Sequence, residues 1–352
     1  MSRFFTESLS ALQPYVPGEQ PQDMQYIKLN TNESPFPPAP GVMNAISSAE
    51  VERLYLYSDP DCKALIAAIA KRFGLKPEQV TVGNGSDEVL WFALRAFCDE
   101  KTPLAYNDIT YGCYKTWCGL LNVPSKILPL KGDYSIDLAL YNDLKATVMV
   151  TNPNAPTGIC LSTEQIEGIL KANPDNVVIV DEAYVDFGGQ SCVGLIEKYE
   201  NLLVVQTCSK SRSLAGARLG YAMGSAELIA DLNRIKFSFN PYNVNRLTCL
   251  AGIAAMEDEA YFQMCTKAVS ETRERTAEAL KQMGFTVTES KANFLFAESG
   301  RIPGMELYLK LKERGILVRH FDKPRLENRL RITVGSDQQM DALLTALRQL
   351  GA

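Results

Sequence analysis

The chain has 352 residues, enough for about two domains and a large buried core. Hydrophobic residues make up 46% and charged residues 22%, a balance that excludes a disordered or membrane-embedded chain and suits a soluble globular one. Its 36 Lys and Arg against 41 Asp and Glu give a net charge of −5, with no basic patch of the kind that binds nucleic acid.

Residues 1–30 are rich in Pro and Gln and read as an N-terminal arm. The opening MSRFFTESLSALQPY has no long apolar run and no small-residue cleavage pattern, so a cytoplasmic location without membrane contact is expected. The proline-laden KLNTNESPFPPAPGV follows and cannot be helix interior. From Val80 onward, strand and helix signals alternate. VTV precedes a helix predicted from about Ser86 to Phe97. Short apolar runs recur at 102–106, 146–151, 176–181 and 201–207, nearly uniform as in strands buried on both faces. Between them, Ser162 and Gln165 have capping-box spacing and open another helix. Residues 31–245 are therefore expected to form an α/β domain, a mostly parallel sheet flanked by helices.

The rhythm changes after residue 245. A charged helical stretch over 259–283 stops at Gly284, and its Glu271 and Arg275 read as a solvated i,i+4 pair. Strand-like FTVTE, ANFLFAE and LRITVG come next. A final helix is capped by Ser336 and Gln339, with Met340, Leu343, Leu344, Leu347 and Leu350 on one core-facing stripe. Residues 246–352 are expected to form a smaller α+β domain.

Nine scattered cysteines without a CxxC pair read as small core residues of a reducing compartment. His320 is the single histidine, which argues against Ser-His-Asp chemistry and against a catalytic zinc; no metal is expected.

Chemistry-bearing residues gather at strand ends. GNGSDE, residues 83–88, offers a tight turn and free backbone N–H groups at a helix start, a seat for an anion. Position 88 is Glu, so the third glycine of a dinucleotide fingerprint is missing, which argues against a nicotinamide oxidoreductase. NPNAPTG, residues 152–158, follows a strand and carries Asn152, Asn154 and Thr157; alone it reads more readily as a proline turn. Asp181 ends an apolar strand and needs a cationic partner, with Tyr184 three residues on; such an Asp can also just cap a turn. Lys210, in TCSKSRSLAGARLGY, lies among Thr207, Ser209 and Arg218, which suits a lysine holding an aldehyde beside a phosphate. Read singly, Lys210 is as readily a surface lysine. Taken in order, the segments supply what a pyridoxal phosphate cofactor requires.

From LNTNESP to LRITVGS the chain resembles the fold-type I pyridoxal-phosphate aminotransferases, and within them the histidinol-phosphate aminotransferase family. The resemblance implies an aspartate aminotransferase-like large domain. It makes Lys210 the Schiff-base lysine, Asp181 the partner of the pyridine nitrogen, and Tyr184 the donor to the ring oxygen. Tyr111 becomes the aromatic stacked on the ring. Ser86, Asp87, Thr207, Ser209 and Arg218 fall at phosphate-binding positions. Tyr57 matches a tyrosine that reaches the phosphate from the neighbouring subunit, which implies a homodimer with shared active sites. The family commonly reads NPNNPTG, with the second loop asparagine on the ring oxygen; here that position is Ala155, and Asn154 or Asn152 is the expected substitute. Arg319 and Arg331, with Tyr15 and Asn32, match positions implied to bind histidinol phosphate and then 2-oxoglutarate or glutamate. An aromatic amino acid aminotransferase or a threonine-phosphate decarboxylase-like enzyme fits the same fold. A non-enzymatic regulator would need an added DNA-binding segment, for which the resemblance leaves no room.

Overall fold

A computed structural model describes residues 6, 9 and 12–352; residues 1–5, 7, 8, 10 and 11 of the expected arm lie outside the described residues. A seven-stranded sheet forms the larger layer. Its strands are β2 (Val80–Asn84), β3 (Leu104–Asn107), β4 (Ser125–Leu128), β5 (Thr147–Thr151), β6 (Val178–Asp181), β7 (Leu202–Thr207) and β8 (Leu219–Gly224), in the order β2-β8-β7-β6-β5-β3-β4. Strands β3 to β7 are mutually parallel; β8 alone runs against its neighbours β7 and β2. Strands β5 to β8 are buried along their whole length, which explains their unbroken apolar runs. Each fully buried side chain, such as Val178, Ile179 or Leu203, contributes roughly 1.5–3 kcal/mol.

Helices cover both faces. They are α1 (Pro40–Ala45), α2 (Ser48–Val51), α3 (Lys63–Phe73), α4 (Ser86–Phe97), α5 (Cys113–Leu121), α6 (Thr163–Ala172), α7 (Ala226–Phe239) and α8 (Arg246–Glu257). The capping box opening α6 forms as its spacing predicts. The expected domain boundary at residue 245 falls just before α8. That helix nonetheless packs on α1 and α3, and its Ala251, Ala255 and Met256 enter the core of the large sheet.

The second layer begins with α9 (Glu259–Gln282). Strands β9 (Phe285–Val287), β10 (Phe294–Ser299), β12 (Arg319–His320) and β13 (Arg329–Thr333) form an antiparallel sheet in the order β12-β13-β10-β9. Helices α10 (Gly304–Glu313) and α11 (Asp337–Leu350) cover it. In α11 the Ser336 and Gln339 cap closes, and Met340, Leu343, Leu344 and Leu347 are buried. Arg275 turns away from Glu271 to Asp337, at 3.0 Å, and Asp341. The arm ends in β1 (Ile27–Lys28), which pairs in parallel with β11 (Ile316–Leu317) and so joins the C-terminal layer. Among the described residues, no helix is long and apolar enough to cross a membrane.

Candidate active site

The carboxyl ends of β2, β5, β6 and β7 open on one edge of the large sheet. The chain enters β8 at that edge too, because β8 runs the other way. Glycine makes the first contact possible. At Gly220 an added Cβ would lie 2.2 Å from the Ser86 backbone nitrogen and 2.4 Å from the Gly85 carbonyl carbon. Gly85 has φ +84, and a Cβ there would meet the Arg218 guanidinium at 2.5 Å. The start of α4 can therefore sit against β8, with its free N–H groups turned to the edge. Arg218 Nη2 pairs with Asp87 Oδ2 at 3.2 Å, and its Nη1 lies 3.5 Å from Ser209 Oγ. Thr207 donates to Ser209 at 3.0 Å. The hydroxyls of Thr207 and Ser209, the Arg218 guanidinium and the N–H groups at Ser86 and the start of α4 form a donor cradle suited to a phosphate, while the Asp87 carboxylate accepts from Arg218 and Tyr111.

Lys210 lies beside this cradle, its Nζ 3.3 Å from the Thr31 carbonyl oxygen and 5.8 Å from the centre of the Tyr184 ring. Loss of water, then the nearby Arg331 charge, lowers its pKa to about 8. Asp181 is buried at the end of β6, and burial raises its carboxyl to about 6 despite two hydrogen bonds. One comes from the Ala183 N–H at 3.2 Å; the other comes from the Tyr114 hydroxyl at 2.6 Å. Thr151 lies 2.9 Å from Tyr114 Oη, and Thr110 lies 2.9 Å from Thr151. Because Tyr114 donates to the carboxylate, each hydroxyl behind it donates forward, so the chain points at Asp181. Tyr114, Thr151 and Thr110 were not picked out from the sequence. The available signal was the nearness of Tyr114 to Tyr111: Tyr114 lies in the first turn of α5, Tyr111 just before it, and the two rings meet edge-on at 5.6 Å. Tyr111 donates to Asp87 Oδ1 at 3.0 Å and meets the Tyr15 ring edge-on at 5.7 Å.

The loop at 152–158 departs from expectation. Asn152 spends its amide on the peptide of Leu161, accepting from its N–H at 2.7 Å and donating to its carbonyl at 3.1 Å. Asn154 donates to the Ile109 carbonyl at 3.0 Å and to Thr157 Oγ1 at 3.0 Å. Both Asn154 N–H groups are committed, and its Oδ1 is buried without a partner. Asn154 therefore offers no donor in place of the one absent at Ala155, and Asn152 is anchored to the Leu161 peptide. Asn32 makes a different contact from the substrate role expected of it: its Nδ2 donates to the Tyr184 hydroxyl at 3.0 Å.

Arg319 and Arg331 are directly paired residues across β12 and β13. Both guanidinium carbons lie near the Phe321 ring, at 5.5 Å and 5.7 Å. Arg331 Nη2 donates to the Asn30 carbonyl at 3.0 Å, while its Nε is buried and unpartnered. Arg319 spends two N–H groups on the arm, donating to the Pro17 and Val16 carbonyls at 2.9 Å each. Two facing arginines repel unless an anion joins them. Tyr57 is not brought to this edge: it is 80% exposed and stacks on Tyr242 at 4.4 Å.

The family model for aminotransferase class I and II matches residues 24–347. A histidinol-phosphate aminotransferase from Marinomonas sp. (strain MWYL1) is 53% identical over 354 residues, covering 99% of this chain and 100% of its own. This chain belongs to the histidinol-phosphate aminotransferase family of class I and II aminotransferases. A further member, from Clostridium acetobutylicum, is 47% identical over 349 residues, with 99% of each chain covered. The crystal structure of histidinol-phosphate aminotransferase from Sinorhizobium meliloti in complex with pyridoxal-5'-phosphate aligns with a TM-score of 0.89 over 100% of this chain and 98% of that one. At 24% identity that likeness carries the fold.

The residues of this aminotransferase fit a phosphorylated pyridine aldehyde on their own geometry. The cradle closed by Gly85 and Gly220 would suit the phosphate, and the lysine with a lowered pKa would suit the aldehyde. The buried Asp181, short of a cation, would suit a protonated ring nitrogen.

Proposed function

We propose that this aminotransferase uses pyridoxal 5'-phosphate to move the amino group of L-histidinol phosphate to 2-oxoglutarate. The products are imidazole acetol phosphate and L-glutamate, in histidine biosynthesis. The observation that carries the proposal is the placing of Lys210 between the Arg218 cradle and the Asp181–Tyr114 pair, with two facing arginines beyond. When bound, the cofactor supplies an aldehyde for amines and an electron-accepting ring. Lys210 Nζ would hold that aldehyde. Freed, and with a pKa of about 8, Lys210 Nζ takes the proton from the substrate's Cα. Asp181 keeps a proton on the ring nitrogen. Tyr184 donates to the ring oxygen, and Tyr111 lies against the ring. Arg319 and Arg331 bind the substrate's phosphate or carboxylate, with Tyr15 of the arm closing over it.

The enzyme works as a cytoplasmic homodimer. Leu54, Tyr55 and Tyr57 are 51%, 80% or more exposed in the single chain, an apolar strip that a second copy would bury while bringing Tyr57 to the neighbouring phosphate. The test is direct. Purified protein should be yellow, and borohydride should fix the cofactor on Lys210; labelling of another lysine overturns the assignment. Single-turnover bleaching by histidinol phosphate, compared with phenylalanine and threonine phosphate, settles the substrate. Faster bleaching by either competitor rejects histidinol phosphate.

A further inference from the structure

The change to Ala155 leaves the expected ring-oxygen contact one donor short. Asn154 has no N–H group to spare, and Asn152 Nδ2 is held by the Leu161 carbonyl. Ala155 itself is buried against Ala292 and Phe294, with Tyr184 beside it. Tyr184 is then the expected donor to that oxygen, and its own hydroxyl is backed by Asn32 Nδ2 at 3.0 Å.

The direction of that contact is determined by its surroundings. The Asn32 N–H donates to Thr333 Oγ1 at 2.9 Å, so the Thr333 hydroxyl proton is free to go to Asn32 Oδ1, 3.1 Å away. Asn32 Oδ1 is thereby held as an acceptor, and Nδ2 must face Tyr184. The Asn293 amide holds the Asn32 carbonyl at 3.0 Å. Asn32 sits at φ 56, a conformation that asparagine tolerates better than most residues. It is completely buried, so its amide has no solvent alternative. Because Tyr184 Oη already accepts from Asn32, its single proton is directed away from Asn32, toward the ring space. Accepting one bond also makes that proton a stronger donor.

We propose that Asn32 is a positioning residue that acts through Tyr184, taking over the task of the loop donor that Ala155 removes. The proposal rests on the cofactor reading given above. Asn32 orients and strengthens the Tyr184 hydroxyl, which then withdraws charge from the ring oxygen and lowers the basicity of the neighbouring lysine-linked nitrogen.

The experiment titrates the colour of the holoenzyme with pH in wild type, Asn32→Asp, Asn32→Gly, Tyr184→Phe and the double variant Asn32→Asp/Tyr184→Phe. Aspartate keeps the shape and the left-handed backbone but accepts where asparagine donates, pulling the Tyr184 proton away. Glycine keeps the backbone and removes the side chain. The other charged groups facing Tyr184 and Lys210 are Asp87, Asp181, Arg218, Arg331 and Glu33, and all are unchanged in these variants. The expected result is a colour transition raised by roughly half to one pH unit in both Asn32 variants, the size of one hydrogen bond. Within the Tyr184→Phe background, Asn32→Asp should add almost nothing. Wild-type titration in both Asn32 variants, or a full additional shift in the double variant, overturns the proposal. A protein that neither turns yellow nor is fixed by borohydride overturns the cofactor reading itself, and this inference with it.

Discussion

Arg319 and Arg331 face each other across an antiparallel strand pair, with no carboxylate bound to either guanidinium among the described residues. Like charges so placed destabilise the strand pair, and an anion between them removes the penalty. Arg331→Ala should therefore lower kcat/KM roughly 100-fold for both anionic substrates, about the value of one charged hydrogen-bond pair. Steady-state kinetics with histidinol phosphate and with glutamate check this. Unchanged values for both would reject the role.

Tyr114→Phe removes the 2.6 Å donor to Asp181 and strands the hydroxyls behind it. Hydrogen bonds to a carboxylate favour its charged form, so the Asp181 pKa should climb from its already raised position. A neutral Asp181 cannot hold a protonated ring nitrogen. Cofactor affinity, measured by equilibrium dialysis, should fall roughly tenfold near neutral pH. The loss should deepen as pH drops from 8 to 6. A wild-type affinity profile would show that the contact does nothing for the cofactor.

Lys210 gives a pH signature of its own. Only the neutral amine attacks an aldehyde. Because burial and Arg331 bring its pKa down to about 8, recapture of pyridoxal phosphate by cofactor-free protein should speed up by about tenfold per pH unit below 8 and level off above it. An ordinary lysine would still be accelerating near 10. The linkage has a definite sign. Between about 8 and 10.5 the unfolded chain holds more protons than the folded one, so this group makes the cofactor-free fold more stable as pH rises through that window. Stopped-flow colour formation across pH 6 to 10 measures the first effect. A plateau only above pH 10 would contradict the lowered value.

Gly220→Ala tests the cradle. Its Cβ would collide with the backbone of Gly85 and Ser86, which cannot rotate aside. Overpacking of this kind costs about 1–3 kcal/mol, enough to lower the melting temperature by at least roughly 2 °C and to loosen the phosphate. Gly216→Ala is the control, since nothing lies within 4 Å of its added Cβ. Equal melting temperatures for the two variants would count against the packing described.

The sheet was legible because strands buried on both faces leave unbroken apolar runs, and the helix starts because capping residues act over three positions. Lys210, Asp181 and Arg218 could be found for a related reason: a charged residue directly beside such a run has few purely structural uses. What stayed hidden depends on contacts between distant segments. Nothing local to Tyr114 tells that its hydroxyl meets Asp181, 67 positions away. Arg275 leaves Glu271 for the start of α11 because a helix-to-helix partner lies nearer than the helical neighbour. Asn154 looked available because a sequence cannot show that its N–H groups are already committed to Ile109 and Thr157.

The bond between Asn32 and Thr333 joins residues 301 positions apart. A ribosome has released nearly the whole polypeptide before those two side chains can meet. The full bracing of Tyr184 must then be a post-synthetic event, and products of premature termination upstream of β13 must lack it.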